Sequence, residues 1–346
     1  MVDTWGDRAR VPAVSAAAVG PDGVREARSA GDARPDSLFA LASLTKPLVA
    51  LAALVAVEEG ALGLDEPAGR HLPAYASGAR AAVTTRHLLA HASGLPESGP
   101  RGVPPLEVEL AHPPATRRVY SNEGYAILGE LLTAATGIAH AAYVHQAVFE
   151  PLGMDAFLGL PEAEEGRALT VLEPGVWRPG LQLFNSREWR SRGTAAGGAF
   201  ATAEAYARVI QLLLSDGAPL IAPETFAEMA RPQFPGLAGG IESFQTWEQA
   251  DWGLGCDIRD AKSPHWLPPE CSPATLSHFG AAGTLMWADP VARVGLVCLA
   301  NRGTYSGWMM EPGGWPDLSA AVYFLLLMGV VMFALFIGYA PLCDKM

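Results

Sequence analysis

Cysteine is scarce in this chain of 346 residues, and its few copies are far apart. The spacing of Cys256, Cys271, Cys298 and Cys343 fits neither a zinc site nor a disulfide framework. We therefore expect free thiols in a reducing compartment, because structural disulfides form in oxidising ones. The first twenty residues also lack an apolar run long enough for the core of a signal peptide. Both features predict a cytoplasmic protein.

Positive charge is also in short supply. Lys and Arg number 24 against 36 Asp and Glu, which gives a net charge of −12. This balance argues against a surface that binds nucleic acid or anionic lipid. The sequence contains no glycine-rich phosphate loop and no Gly-x-Ser-x-Gly motif, so neither a P-loop nucleotide site nor an α/β-hydrolase elbow is indicated. We expect no cofactor, and the sequence does not predict an oligomeric state.

Charge is missing altogether near the C-terminus. Between Asp317 and Asp344 no residue is charged, and the apolar run is long enough to cross a bilayer. A core helix of that length normally carries a polar stripe, which this segment lacks. We therefore predict a transmembrane helix within 316–346, with membrane association through 318–342. The alternative is a terminal core helix that buries one face, and the two interpretations can also share the segment, with its first turns packed on the domain.

The remaining patterns predict an α+β fold, with one antiparallel sheet built from both chain ends, flanked by helices, and a helical insertion. One domain would span 1–315. Its sheet subdomain would cover about 8–60 and 195–315, and its helical subdomain about 61–194. The predicted elements are a hairpin at 12–30, a helix starting near Ser43, a helix at 202–215 capped by Thr202, and strands at 251–258, 274–290 and 292–302.

Lysine is the rarest charged residue, with three copies among the 24 basic residues. One of them, Lys46, lies in the most apolar stretch of the N-terminal half. Lysine, unlike arginine, can lose its proton when it is desolvated, as a buried general base requires. Ser43 lies three residues earlier, on the same helical face, where its hydroxyl can meet the amine. The alternative is a capped helix start with a lysine that extends to solvent.

Two further motifs supply polar groups suited to the same chemistry. Tyr120 and Asn122 open a predicted helix, where a tyrosine hydroxyl near a lysine can have a lowered pKa and shuttle a proton. The alternative is an aromatic anchor beside a helix N-cap. His278 precedes Gly280 in a predicted strand, and Ala281 after it is small enough for backbone N–H groups to face a substrate. The alternative there is a turn or bulge at a strand end.

In combination, Ser-x-x-Lys, Tyr-x-Asn and His-x-Gly occur in the order found in serine β-lactamases and penicillin-binding proteins. The chain closely resembles the class C β-lactamase-like family of serine hydrolases from about Val11 to Arg302. The resemblance implies a fold of the serine β-lactamase/D,D-peptidase type, with 1–315 as the catalytic domain. The resemblance implies that Ser43 is acylated, that Lys46 and Tyr120 form the general base pair, and that Asn122 contacts the lysine or the substrate amide. It also implies an oxyanion hole formed by the backbone N–H groups of Ser43 and Ala281.

Two departures from the family pattern bear on the substrate. His278 stands where β-lactamases usually have Lys, and is a weaker, pH-dependent cation. Phe279 stands where a hydroxyl usually hydrogen-bonds the substrate. We therefore expect small ester or amide substrates rather than β-lactams. β-Lactamase or D,D-carboxypeptidase activity, transacylation, and a catalytically weak, membrane-tethered binding module are the alternatives.

Other features admit simpler explanations. His87 and His91 are four residues apart, a spacing that can bind metal on a helix, but no third ligand is evident. We therefore expect capping near Gly94 and no metal site. Trp252, Trp266 and Trp287 are expected to pack in the core rather than to line a cleft.

Overall fold

The computed structural model describes residues 11–172 and 183–327. The strands are β1 Ala13–Gly20, β2 Gly23–Gly31, β3 Phe39–Ala40, β4 Arg118–Val119, β5 Ala156–Leu158, β6 Ala199–Ala201, β7 Gly239–Ile241, β8 Gln245–Trp247, β9 Asp257–Ile258, β10 Leu276–Gly280, β11 Thr284–Asp289 and β12 Val294–Ala300. The helices are α1 Thr45–Glu58, α2 Thr85–Leu89, α3 Asn122–Thr136, α4 His140–Val144, α5 Arg187–Arg192, α6 Ala203–Leu214, α7 Pro223–Ala230 and α8 Trp315–Leu327.

Both chain ends contribute to one six-stranded antiparallel sheet, in the order β2-β1-β12-β11-β10-β9. Strand β1 forms a hairpin with β2 and pairs on its other side with β12, where Val14 lies opposite Ala300. The other six strands form two three-stranded sheets, in the orders β3-β6-β5 and β4-β7-β8. The predicted α+β fold and the N-terminal hairpin are confirmed.

The two faces of the large sheet are covered by different helices. Ala17 and Val297 face the larger hydrophobic core, which also contains residues of α1, α3 and α6. Ala16 and Cys298 face a second core, which includes the buried side of α8. Strands β1 and β12 are therefore buried on both faces, as their nearly unbroken apolar sequences require. The division into two subdomains stays a prediction, since the larger core draws on both.

Helix α6 begins where the sequence predicts. The Thr202 hydroxyl accepts a hydrogen bond from the Ala205 N–H at 3.1 Å, which caps the helix. Helix α1 begins at Thr45, directly after a 3₁₀ turn at Ala42–Leu44 that contains Ser43. Eleven of the fourteen residues of α1 are buried, and the helix packs against α3 and α4 within the larger core.

The segment 274–290, predicted as one strand, is instead a hairpin of β10 and β11. The Gly283 N–H donates to the Gly280 carbonyl at 2.9 Å, and Gly283 has φ +101°, a conformation that favours glycine. Ala281 therefore lies in a turn, and its placement in a strand was wrong. The turn has an Ala-Ala-Gly sequence without the polar residues that usually mark turns.

The C-terminal apolar segment begins as a core helix. Helix α8 buries one side, including Trp315, Leu318 and Val322, against the sheet. Within residues 11–172 and 183–327, no single helix is both long and apolar enough to cross a membrane. The predicted transmembrane helix is therefore not supported by α8, and the rest of the predicted span lies outside the described residues. Cys343 lies there too, whereas Cys256, Cys271 and Cys298 are buried free thiols.

A buried ionic cluster anchors the segment between β9 and β10 to strand β9. The Asp257 carboxylate bonds with the Lys262 ammonium and, at 2.9 Å, with His265 Nε2, and all three side chains are inaccessible to solvent. Burial alone would raise the pKa of Asp257, but Lys262 and His265 outweigh it and lower that pKa. Asp257 is therefore ionised, and it stabilises a segment that has little regular secondary structure.

Breaking this cluster is expected to destabilise the fold. Asp257→Asn leaves Lys262 as an uncompensated buried cation, so the free energy of unfolding should fall by about 3–5 kcal/mol. Glu248→Gln, at an exposed position nearby in sequence, is the matched control and should stay within about 0.5 kcal/mol. Urea unfolding followed by circular dichroism measures both. Equal stability of the two variants would contradict the role of the cluster.

Candidate active site

Ser43 lies on a constrained turn that is still accessible to solvent. Its neighbour Ala42 has φ +46°, an unusual backbone conformation for a residue other than glycine. Three hydrogen bonds hold the turn: Leu41 N–H to Ala199 O at 2.9 Å, Thr284 Oγ1–H to Leu41 O at 2.8 Å, and Tyr206 OH to Leu44 O at 2.9 Å. Strands β6 and β11 and helix α6 thus fix the position of the Ser43 hydroxyl.

Lys46 follows one helical turn later and is completely buried. Its Nζ lies 3.0 Å from Ser43 Oγ, 2.9 Å from Asn122 Oδ1 and 2.7 Å from the Ala196 carbonyl oxygen. The three partners come from the serine turn, from the start of α3 and from the loop before β6. The structure therefore brings Ser43, Lys46 and Asn122 into direct contact.

Burial controls the protonation of this lysine. Loss of solvent lowers the pKa of Lys46 to about 7, although the negative charge of Glu97 acts in the opposite direction. Of the three hydrogen-bond partners, none is a carboxylate that would hold the amine in its charged form. Near neutral pH a large fraction of Lys46 is thus unprotonated and able to accept a proton.

Tyr120 completes the polar group around the serine, and its side chain is close enough to interact with Ser43. Its ring lies beneath the lysine, with Lys46 Nζ 4.8 Å from the ring centre. The expectation of a lowered pKa was wrong, because burial raises the pKa of Tyr120 well above its usual range. Tyr120 is therefore a neutral phenol that can relay a proton but cannot serve as a phenolate base.

The start of α3 explains why Tyr120 and Asn122 are held side by side. The intervening Ser121 is the N-cap, and its hydroxyl accepts the Gly124 N–H at 2.9 Å. The predicted N-cap is therefore present, and it does not prevent Tyr120 and Asn122 from lying at the site. Asn122 uses its oxygen toward Lys46, so the lysine donates and the amide accepts.

His278 lies across from Tyr120, with 5.8 Å between the ring centres, and is buried. Its Nδ1 is 2.8 Å from the Phe279 carbonyl oxygen, which can only accept, so Nδ1 carries the proton. Burial, followed by the charge of Lys46, lowers the pKa of His278 to about 3. The sequence-based expectation of a weak cation here was wrong: the ring is neutral and its Nε2 is an acceptor.

Gly280 brings the end of β10 against the serine turn. A Cβ atom at this position would lie 3.1 Å from the Ser43 nitrogen and would clash with the Leu41 carbonyl and the Thr284 side chain. Glycine is thus needed for the close approach that places the next residue, Ala281, beside Ser43. This proximity is compatible with an oxyanion hole formed by the N–H groups of Ser43 and Ala281.

Sequence reasoning missed the role of His91. This buried residue has φ +55°, its ring centre lies 4.4 Å from that of Tyr120, and its Nδ1 accepts the Ser121 N–H at 3.0 Å. Burial lowers the pKa of His91 well below its usual value, so the ring is a neutral packing partner behind Tyr120. Neither the left-handed conformation of His91 nor its contact with the start of α3 can be predicted from its spacing from His87.

The other predicted features are placed as follows. His87 is not a helix-to-loop cap near Gly94: its Nδ1 accepts the Thr84 N–H at 3.1 Å at the start of α2. Among the described residues, no group of three His, Cys, Asp or Glu side chains has an arrangement suited to a metal ion. The three tryptophans are buried, and Trp252 also packs edge-on against His91 and His278 behind the site.

The family follows from comparison with known proteins. A sequence model described as Beta-lactamase matches residues 1–307. The chain belongs to the beta-lactamase family. As a member of this family it is a serine hydrolase, and its relatives include esterases, penicillin-binding proteins and carboxypeptidases.

Individual relatives of this beta-lactamase-family protein carry different names. It is 30% identical over 321 residues to esterase EstB of Burkholderia gladioli, covering 79% of each chain. A crystal structure titled as a β-lactamase from Mycobacterium bovis is 36% identical, with 93% of this chain and 97% of that chain covered and a TM-score of 0.70. EstA of Arthrobacter nitroguajacolicus Rue61a, at 24% identity, has the same fold with a TM-score of 0.76 over 96% of this chain and 95% of its own.

The pKa of Lys46 predicts how the reactivity of Ser43 depends on pH. Because the neutral amine is the competent form, the rate of labelling by a fluorophosphonate should rise about tenfold per pH unit below about 7 and level off above it. Labelling reactions stopped at fixed times between pH 5 and 9, and analysed by intact-mass spectrometry, measure this profile. Lys46→Met, which keeps the length of the side chain, should label slowly with no inflection near 7. A midpoint near 10 in the unmodified protein would contradict the lowered pKa.

Proposed function

We propose that the protein hydrolyses small ester or amide substrates through a covalent acyl-Ser43 intermediate. Lys46 acts as the general base and Tyr120 as its proton relay, Asn122 and His278 border the substrate, and the N–H groups of Ser43 and Ala281 stabilise the oxyanion. The observation that carries this proposal is the hydrogen-bond geometry of the buried Lys46 amine.

Two of the three partners of Lys46 are carbonyl-type oxygens, Asn122 Oδ1 and Ala196 O, which can only accept hydrogen bonds. A neutral amine has two N–H groups and one lone pair. When those two oxygens take the two N–H groups, the lone pair is directed at the third partner, Ser43 Oγ, 3.0 Å away. The surroundings of the neutral amine thus orient it to take the serine proton.

In the acylation step, the Ser43 oxygen forms a bond to the substrate carbonyl carbon while its proton passes to Lys46. The carbonyl oxygen becomes an oxyanion, which the two backbone N–H groups stabilise as donors that need no reorganisation. Collapse of this intermediate breaks the bond to the leaving alcohol or amine. Tyr120, which lies beside Ser43 and Lys46, relays the proton from the Lys46 ammonium to that leaving group.

Deacylation runs through the same groups in reverse order. A water molecule loses a proton to the neutral Lys46, directly or through Tyr120, and its oxygen attacks the acyl carbon. The second oxyanion collapses, the bond to Ser43 breaks, and the serine oxygen regains the proton. The products are a carboxylic acid and the free enzyme, so no metal or cofactor takes part in the proposed cycle.

The neutral state of His278 favours esters and amides over β-lactams. A β-lactam substrate carries a carboxylate, and the neutral ring, whose Nε2 is an acceptor, would not attract it. Phe279 cannot supply a hydroxyl in compensation. The β-lactamase and D,D-carboxypeptidase alternatives draw their support from the family, and a nitrocefin assay addresses the first of them directly.

Replacement of the nucleophile is the direct test. Ser43→Ala should abolish fluorophosphonate labelling and reduce hydrolysis of p-nitrophenyl acetate to background, while Ser191→Ala, an exposed serine on α5, should behave as the unmodified protein. Intact-mass spectrometry and release of p-nitrophenolate measure the two effects. Labelling that persists in Ser43→Ala would refute the assignment. Labelling of the unmodified protein without turnover would favour the non-catalytic module, and ester formation with added alcohol would favour transacylation.

The tyrosine role can be separated from the lysine role. Tyr120→Phe retains the ring that packs on His91 but removes the proton relay, so kcat should fall by about 10²–10⁴-fold. The melting temperature should change little, because the ring contacts remain. Steady-state kinetics with p-nitrophenyl acetate give kcat, and an unchanged value would exclude Tyr120 from proton transfer.

A further inference from the structure

The two faces of β10 present different chemistry beside Ser43. Successive side chains of a strand point to opposite sides, so His278 faces Tyr120 while Phe279 faces the other way. The Phe279 ring lies 4.9 Å from Trp266 and 5.5 Å from Trp315, centre to centre, and is only partly buried. One part of the Phe279 ring is therefore packed and the rest is exposed to solvent. Phe279 directly precedes Gly280, the residue that approaches Ser43.

Phe244 extends this apolar surface from the opposite direction. It lies in the turn between β7 and β8, 36% of it is exposed, and its ring meets that of Phe279 edge to face at 5.4 Å. Exposure of a phenylalanine ring to water is unfavourable unless another apolar group covers it. Phe244 and Phe279, referred to below as the aromatic rim, form a pair that the described residues cover only in part.

Hydrogen bonds tie the aromatic rim to the catalytic groups. Ser243, next to Phe244, donates its N–H to Glu97 Oε2 at 2.9 Å, and the Glu97 carbonyl accepts the Asn122 N–H at 2.9 Å. The Gly240 carbonyl of β7 accepts the Tyr120 N–H at 2.8 Å. The β7–β8 hairpin is thus held against the residues that surround Lys46, which places Phe244 at the margin of the site.

The charges around the aromatic rim are unsuited to an anionic substrate. His278 is neutral, Glu97 is negative, and the nearby Glu242 pairs with Arg117 at 3.4 Å. A substrate carboxylate would thus meet an apolar surface bordered by Glu97 and by an ion pair whose cation already has a carboxylate partner. An uncharged apolar substituent would cover the rings without the desolvation of a charged group.

We propose that the aromatic rim binds the apolar alkyl or aryl substituent of an uncharged ester and so selects the substrates of this enzyme. The inference rests on the proposed ester hydrolysis at Ser43 and adds the substrate class. Phe244 and Phe279 are specificity-determining residues, and they take no part in proton transfer.

Three esters, namely ethyl acetate, benzyl acetate and ethyl hexanoate, separate this role from catalysis. Ethyl acetate lacks a large apolar substituent, benzyl acetate adds one on the alcohol side, and ethyl hexanoate adds one on the acyl side. Phe244→Ala should lower kcat/KM about tenfold for benzyl acetate, ethyl hexanoate or both, and leave ethyl acetate within about twofold. Acid release in a pH-stat measures all three.

Val291→Ala is the matched control, since Val291 is 72% exposed at the far end of β11 from Ser43. It should change none of the three rates. Phe279→Leu, which keeps an apolar side chain in the packed position, should retain a preference for the larger esters, whereas Phe279→Thr should lose it. Phe244 is the more exposed of the pair, so its variant tests the rim even where Phe279→Thr does not fold.

A uniform fall across the three esters, or no change in Phe244→Ala, would overturn the aromatic rim as a binding surface. These outcomes differ from failure of the proposed function, in which the unmodified protein hydrolyses none of the esters or Ser43→Ala remains active. In that case the proposed substrate class is refuted together with the proposed ester hydrolysis on which it rests.

Discussion

The burial of the Lys46 amine is the constraint on which the site depends. An amine that is removed from water must either find an anion or give up its proton, because an unpaired charge in a protein interior is strongly unfavourable. Lys46 has three uncharged oxygen partners, from the serine turn, from α3 and from the loop before β6. The sheet and the helices must therefore meet at this point for the amine to be satisfied. The same requirement brings Ser43 and Asn122 together.

Lys262 shows that burial alone does not make a lysine a base. It is as inaccessible as Lys46, but Asp257 lies against it and the pair remains ionic. Burial lowers the pKa of both lysines, and in Lys262 the carboxylate opposes that effect, whereas Lys46 has only the charge of Glu97, which is not among its hydrogen-bond partners. The scarcity of lysine in the sequence therefore indicates two special positions. It does not distinguish a proton acceptor from half of an ion pair.

The sequence predicted the residues of the site better than their electrostatic states. Ser43, Lys46, Tyr120 and Asn122 could be found because their side chains carry the motif, and the strand-like segments near both chain ends indicated the sheet. The neutral state of His278 could not be found, since it arises from burial and from the charge of Lys46, which is distant in sequence. The Ala196 carbonyl was missed for another reason: a backbone oxygen has no side-chain signal. The β10–β11 turn was missed because its small apolar residues continue the strand pattern.

The same electrostatics connect the choice of substrate to the state of the base. A carboxylate about 6 Å from an amine interacts with it by about 3 kcal/mol at an effective dielectric constant of about 20, which favours protonation roughly a hundredfold. An anionic substrate bound beside Lys46 would therefore raise the pKa of the amine and remove the lone pair that Ser43 needs. An uncharged substrate has no such effect, and by excluding water it keeps the amine neutral. A base created by desolvation thus works best on substrates that bring no negative charge, and the neutral His278 and the apolar surface of Phe279 meet that condition.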